Sequence, residues 1–159
     1  MKDNFIRRAV VIDVYDGDSI TVNLDLGFGV TLNNQKIRLA RIDTPELKSN
    51  SSKRVYKTEK ALGLDIQQWL EELLMGKEIF IKSVDYEPSF SRLVGEIYVY
   101  IDDNMLHLNQ YMIDHGIARE YHDNSSYPEK WNLKWYNETG KKLFLEWKQT
   151  KNPAINIIK

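Results

Sequence analysis

The segment Ile37-Arg38-Leu39-Ala40-Arg41-Ile42-Asp43-Thr44-Pro45-Glu46 carries a strand-like apolar run into a carboxylate, a turn proline and a second carboxylate. Upstream, Asp16-Gly17-Asp18 supplies another acidic turn. Acids on two turns with an arginine between them suit a hard cation, which takes oxygen ligands, together with a phosphodiester, whose oxygens a guanidinium matches bidentately. A further arginine, Arg92, comes much later, after a strand and a loop.

Taken singly, each of these residues has an ordinary structural use. Asp16 and Asp18 suit a turn, Asp43 can satisfy backbone donors ahead of Thr44-Pro45, Glu46 can be solvated, and the arginines can form surface ion pairs. Their order along one chain is what favours a shared site. A regular strand sets one condition on it: Arg38 and Asp43 lie an odd number of positions apart, so strict alternation would turn them to opposite faces. A bulge, bend or strand end must reset the alternation, and Ala40-Arg41 is the expected place.

Period and punctuation give the elements that hold these groups. Residues 9–15 and 18–26, rich in Val and Ile, read as strands around an Asp16-Gly17 hairpin turn whose residues tolerate positive φ. A third run, 30–42, follows the Gly27-Phe28-Gly29 break, with Asn33-Asn34 marking a turn or kink inside it. Leu62, Ile66, Trp69, Leu70 and Leu73 recur at helical spacing between about 55 and 75, and Gly76 can supply a left-handed C-terminal cap. Residues 78–84 and 92–101 read as two more strands, and Leu108, Tyr111 and Met112 mark a shorter helix ending near Gly116. A last helical candidate, 129–147, is interrupted by Gly140. The expectation is an α+β fold, a five-stranded OB-type β-barrel with about three α-helices, as one domain over 1–159 with its core at about 9–147.

Composition narrows the function classes. At 159 residues and 42% apolar content the chain can bury a core, and it has no cysteine for a disulfide, a thiolate metal site or a thiol nucleophile. His107, His115 and His122 have no zinc-triad spacing, and Trp131, Trp135 and Trp147 read as a packing stripe. A net charge of −1 argues against coating nucleic acid through a global field. Locally, Lys48, Lys53, Arg54, Lys57 and Lys60 against Glu59 form a basic stretch just after the acidic motif, read as a solvated loop or as a flap over a polyanion. No signal peptide or membrane-spanning run is visible, so a cytoplasmic or host-cytosolic setting is expected, with secretion open if a signal was removed.

In order, Asp16-Gly17-Asp18, Arg38 to Glu46 and Arg92 resemble the successive active-site motifs of the staphylococcal nuclease (thermonuclease) family, and Met105 to Ala118, with Asn109 and Gly116-Ile117-Ala118, resembles its second helix and exit. The resemblance spans roughly 9–121. It implies a calcium-dependent nuclease acting on DNA or RNA, as a monomer with no membrane, by in-line attack of water and loss of the 5′ oxygen to leave a 3′-phosphate. Asp18, Asp43 and the Thr44 carbonyl would bind Ca2+, Glu46 would orient or deprotonate the water, and Arg38 and Arg92 would grip the phosphate. Single-stranded nucleic acid is the expected substrate, since the groove must reach one backbone and stack a base.

Departures from the family accompany the matches. Phe90-Ser91 stands before Arg92 where the family typically has a tyrosine and a glycine, so an aromatic face remains without its hydroxyl. Family pocket tyrosines have only candidate counterparts in Tyr121, His122 and Tyr127, so substrate binding is assigned to these three and Phe90. The Asp18–Arg38 segment is longer than in compact members. The alternatives are a catalytically silent OB-type nucleic-acid or protein-binding module and a domain using calcium for stability only.

Overall fold

The computed structural model describes residues 5–48, 57–87, 91–121 and 149 of the protein. Its first three strands, β1 (Ile6–Asp16), β2 (Ser19–Gly27) and β3 (Val30–Leu39), form an antiparallel meander. Val11 and Val14 of β1 both point inward despite their odd spacing, because a register shift between Val11 and Asp13 resets the alternation. The β2–β3 hairpin turns at Phe28-Gly29, both left-handed, the geometry that matches the twist of a two-residue hairpin.

The run read as 30–42 is not one strand. It ends at Leu39, turns through Ala40 and Arg41, and resumes as the two-residue β4 (Ile42–Asp43), with Arg41 held at φ 61°. After it, α1 (Lys57–Leu74) lays Ile66, Trp69, Leu70, Leu73 and Leu74 into the core, and left-handed Gly76 ends it by donating its amide to Val11 O (2.9 Å). Then come β5 (Glu78–Glu87) and β6 (Arg92–Ile101), and β7 (Asn104–His107) pairs back on β6 through a turn of left-handed Asp102 and Asp103. Residues 105–107, grouped with the second helix in the sequence, thus belong to a strand. The helix α2 (Leu108–Asp114) starts after them, and β8 (Arg119–Glu120) pairs with β4.

Pairing of β1 with β5 and of β5 with β6 carries the sheet round, and a short parallel ladder of Ile37, Arg38 and Leu39 against Leu93, Val94 and Gly95 closes five strands into a barrel. This is the expected OB-type α+β barrel. Two helices, α1 and α2, are described beside it, meeting where Trp69 stacks on Tyr111 with ring centroids 6.0 Å apart. The further helical candidate at 129–147, with its tryptophans, lies outside the described residues. Neither described helix is long and apolar enough to cross a membrane.

One buried side chain ties the barrel seam to α2. Asn109 accepts the Ile97 amide (2.8 Å) through Oδ1 and donates through Nδ2 to Ala40 O (2.8 Å) and Gly95 O (3.3 Å). A buried backbone group without a partner costs about 1–3 kcal/mol. Asn109→Ala should therefore lower the urea-unfolding free energy by about 2–4 kcal/mol, and a loss below about 1 kcal/mol would remove Asn109 from this structural role.

Candidate active site

The Asp16–Ser19 turn, the end of β3 and the loop after β4 converge around Arg38. Arg38 Nη1 pairs with Asp18 Oδ1 at 2.5 Å, and its Nη2 donates to Ile42 O at 2.9 Å, so one guanidinium spans the bend from the acidic turn to β4. Asp18 Oδ2 accepts both the amide and the hydroxyl of buried Thr44, each at 3.1 Å. These bonds fix the spacing between the Asp16-Gly17-Asp18 turn and the Asp43-Thr44 loop.

Two glycines permit that approach. Gly17 was expected to serve a positive φ, yet it is absent from the left-handed residues; a Cβ there would instead lie 2.6 Å from Thr44 Oγ1 and 2.9 Å from an Ile66 methyl. On α1, a Cβ at Gly63 would lie 2.7 Å from Pro45 O. Glu59, one helical turn earlier on the same face and buried, accepts the Glu46 amide at 3.1 Å. The loop bearing the second acid is therefore seated on the first turns of the helix.

Burial and neighbouring charge both act on the acids of this turn. Burial, then the neighbouring Asp18 charge, pushes the Asp16 carboxyl up from 3.8 to about 7, although the Asp18 amide and Arg38 pull the other way. Burial alone would lower the Arg38 pKa, but Asp18, Asp43 and Asp16, in that order, raise it above the usual arginine value. Asp43 faces Arg38 electrostatically while its Oδ2 is engaged by Arg119, with Nε and Nη2 both at 2.7 Å across the β4–β8 pair.

Arg38, Asp18, Asp43 and Thr44 are thus brought together, with the bend at Ala40-Arg41 resetting the alternation as expected. Glu46 follows on the same loop. Arg92, at the start of β6, lines a pocket of about 300 Å³ that Asp16 and Ser19 share, and it stands two residues before Val94, the ladder partner of Arg38. Tyr121 lies just past β8, half-buried, its amide donating to Arg41 O at 2.6 Å. Phe90, His122 and Tyr127 lie outside the described residues. His107 binds Glu96 (2.6 Å) and stacks on Tyr98, and His115 stacks on Tyr111 at 4.0 Å, both packing roles.

Sequence reasoning missed Arg119 and Glu59 as partners of the two acids. The Glu59 to Gly63 spacing, one helical turn, was the available signal for the second; for Arg119 only its place after Gly116-Ile117-Ala118 could have served.

The sequence pattern described as staphylococcal nuclease homologue matches residues 36–144, more than half of the chain. The chain belongs to the staphylococcal nuclease homologue family. Probable endonuclease LCL3 of Komagataella phaffii (strain GS115 / ATCC 20864) is 26% identical over 90 residues, 57% of this chain. The matched span is 37% of that relative's length. The family match covers Arg38, Asp43, Thr44, Glu46 and Arg92, while the Asp16–Asp18 turn precedes it and joins the site through the fold.

The electrostatics of this nuclease-family site give a pH signature. Because the folded Asp16 pKa lies above its ordinary value, the stability it contributes is complete below about pH 4 and is lost as pH rises through about 7. Asp16→Asn keeps an acceptor for the Asp18 amide, 3.1 Å away, and removes the charge. In chelator, wild-type stability should therefore fall relative to Asp16→Asn between about pH 4.5 and 7.5 in urea denaturation. Parallel profiles would show that Asp16 titrates normally.

Proposed function

We propose that the protein is a calcium-dependent nuclease that hydrolyses phosphodiester bonds of single-stranded DNA or RNA. The observation that carries this is Arg38 flanked by Asp18 and Asp43 from two sides of the β3–β4 bend, in a chain of the nuclease-homologue family.

The donor set fits a hard cation by type. It is oxygen only, in a chain without cysteine, and the carboxylates of Asp16, Asp18 and Asp43 all act on the one Arg38 guanidinium. Among the described residues no three acids or histidines already converge as a metal cage, since Asp18 and Asp43 are turned to Arg38, Thr44 and Arg119. Asp18, Asp43 and the Thr44 carbonyl are the residues assigned to Ca2+, which when bound supplies Lewis-acid polarisation of a phosphoryl oxygen and a more acidic water.

The chain's own groups account for the remaining steps. Arg38 is held rigidly by Asp18 and Ile42, so a phosphate would meet a guanidinium that needs little reordering. Arg92 approaches from the adjoining pocket and neutralises charge developing on the equatorial oxygens. Glu46, on a loop tethered to Glu59, orients or deprotonates the attacking water in line with the departing 5′ oxygen, leaving a 3′-phosphate.

A single-stranded DNA cleavage assay with calcium titration tests this reading. Cleavage should stop in chelator and fall by about 10²–10³ in kcat for Asp43→Ala and for Arg92→Ala, with the fold intact by circular dichroism. Binding of single strands without cleavage at any calcium concentration would replace the enzyme with a silent binding module. Calcium-dependent melting without cleavage or nucleic-acid binding would assign the carboxylates to stability.

A further inference from the structure

The pocket that Arg92 lines extends away from Arg38 along the outer face of the barrel. Register carries a second polar row across the strands there: Asp13 of β1 pairs with Thr21 of β2, and Thr21 pairs with Lys36 of β3, next to which the parallel seam sets Arg92. The neighbouring row contains Ser19 opposite Arg38. Lys36 and Arg38 are alternate residues of one strand, so their side chains leave the same face about 7 Å apart. That separation is comparable to the distance between successive phosphates on an extended polynucleotide.

Tyr15 closes the same pocket. It is exposed, sits two residues after Asp13 on β1, and has Lys48 Nζ over its ring at 5.6 Å. The cavity of about 300 Å³ therefore offers an aromatic face, two cationic side chains and the hydroxyls of Ser19 and Thr21, with the carboxyl groups of Asp13 and Asp16 also in its lining.

We infer that this pocket is a subsite for one nucleotide next to the scissile phosphate, with Lys36 on its phosphate and Tyr15 stacked on its base, while Arg92 stays with the scissile phosphate. The inference rests on the nuclease reading for the identity of the polyanion. Asp13, in the Lys36 row but two strands away on β1, bounds the pocket on that side, because its carboxylate repels a phosphate placed there. A stacked base takes the place of the Lys48 ammonium over the tyrosine ring, and the sequence tolerance of stacking predicts little base preference at this position.

The test measures binding of fluorescein-labelled dithymidylate and hexathymidylate to the full chain by fluorescence anisotropy, in chelator so that nothing is cleaved. Wild type should bind the hexamer at least about tenfold more tightly than the dimer. Lys36→Ala and Tyr15→Ala should each erase most of that length-dependent gain, whereas Tyr15→Phe should keep it. Lys36→Ala should also reduce the slope of log affinity against log salt by about 0.7, and Tyr15→Ala should leave the slope unchanged. Both positions are exposed, so thermal melting should not move. Equal dimer and hexamer affinity in wild type, or a gain that survives both alanine variants, overturns the subsite. Length-dependent binding through Lys36 and Tyr15 in a protein that never cleaves keeps the subsite and sinks the nuclease reading.

Discussion

Everything at this site depends on β3 leaving the barrel within two residues. The Leu39 amide still bonds back to Asp18 O and the Ala40 amide across the seam to Gly95 O, each at 2.8 Å, and the chain then turns at left-handed Arg41. Such a departure strands backbone groups in a dry interior unless something replaces the ladder. The Asn109 carboxamide does so by joining Ala40, Gly95 and Ile97, while Arg41 is held from outside by Glu96 (2.6 Å), Glu120 (3.2 Å) and Gln110 (3.3 Å). A bend specified from both faces places Asp43 on the side where Arg38 already is.

The charge arrangement follows from that placement. Arg38 stands among Asp16, Asp18 and Asp43, and Arg119 answers Asp43 from β8. Arginine suits such positions because its planar fork can engage separate acceptors at once and stays charged when buried. The burial that raises the Asp16 pKa also strengthens each interaction a bound polyanion would make there, since little water competes.

Much of this was legible in the sequence. Alternating Val and Ile residues marked the barrel strands, apolar spacing marked α1, and the order of Asp18, Arg38, Asp43 and Glu46 marked the candidate site. The alternation argument located the bend at Ala40-Arg41 because strand geometry is strict. What stayed hidden was tertiary: Gly17 looks like any turn glycine until Thr44 is seen against it, and nothing near Arg119 announces Asp43 as its partner. Short strands such as Asn104–His107 escape for another reason, because four residues carry too little periodicity to separate strand from helix.

The hairpin arm formed by β2 and β3 has a consequence for life in a concentrated solution. Residues 26–35 contain no charged side chain, Phe28 is fully exposed at the tip, and beyond Lys36 toward that tip β3 pairs only with β2 among the described residues. A straight edge of that composition would be a template for strand addition and fibre growth. The register shift between Val22 and Leu24, and left-handed Asn34 with its amide bonded to Asn23 Oδ1 at 3.1 Å, break the regular spacing of donors and acceptors along the edge. That irregularity disfavours in-register addition of a further strand along this edge.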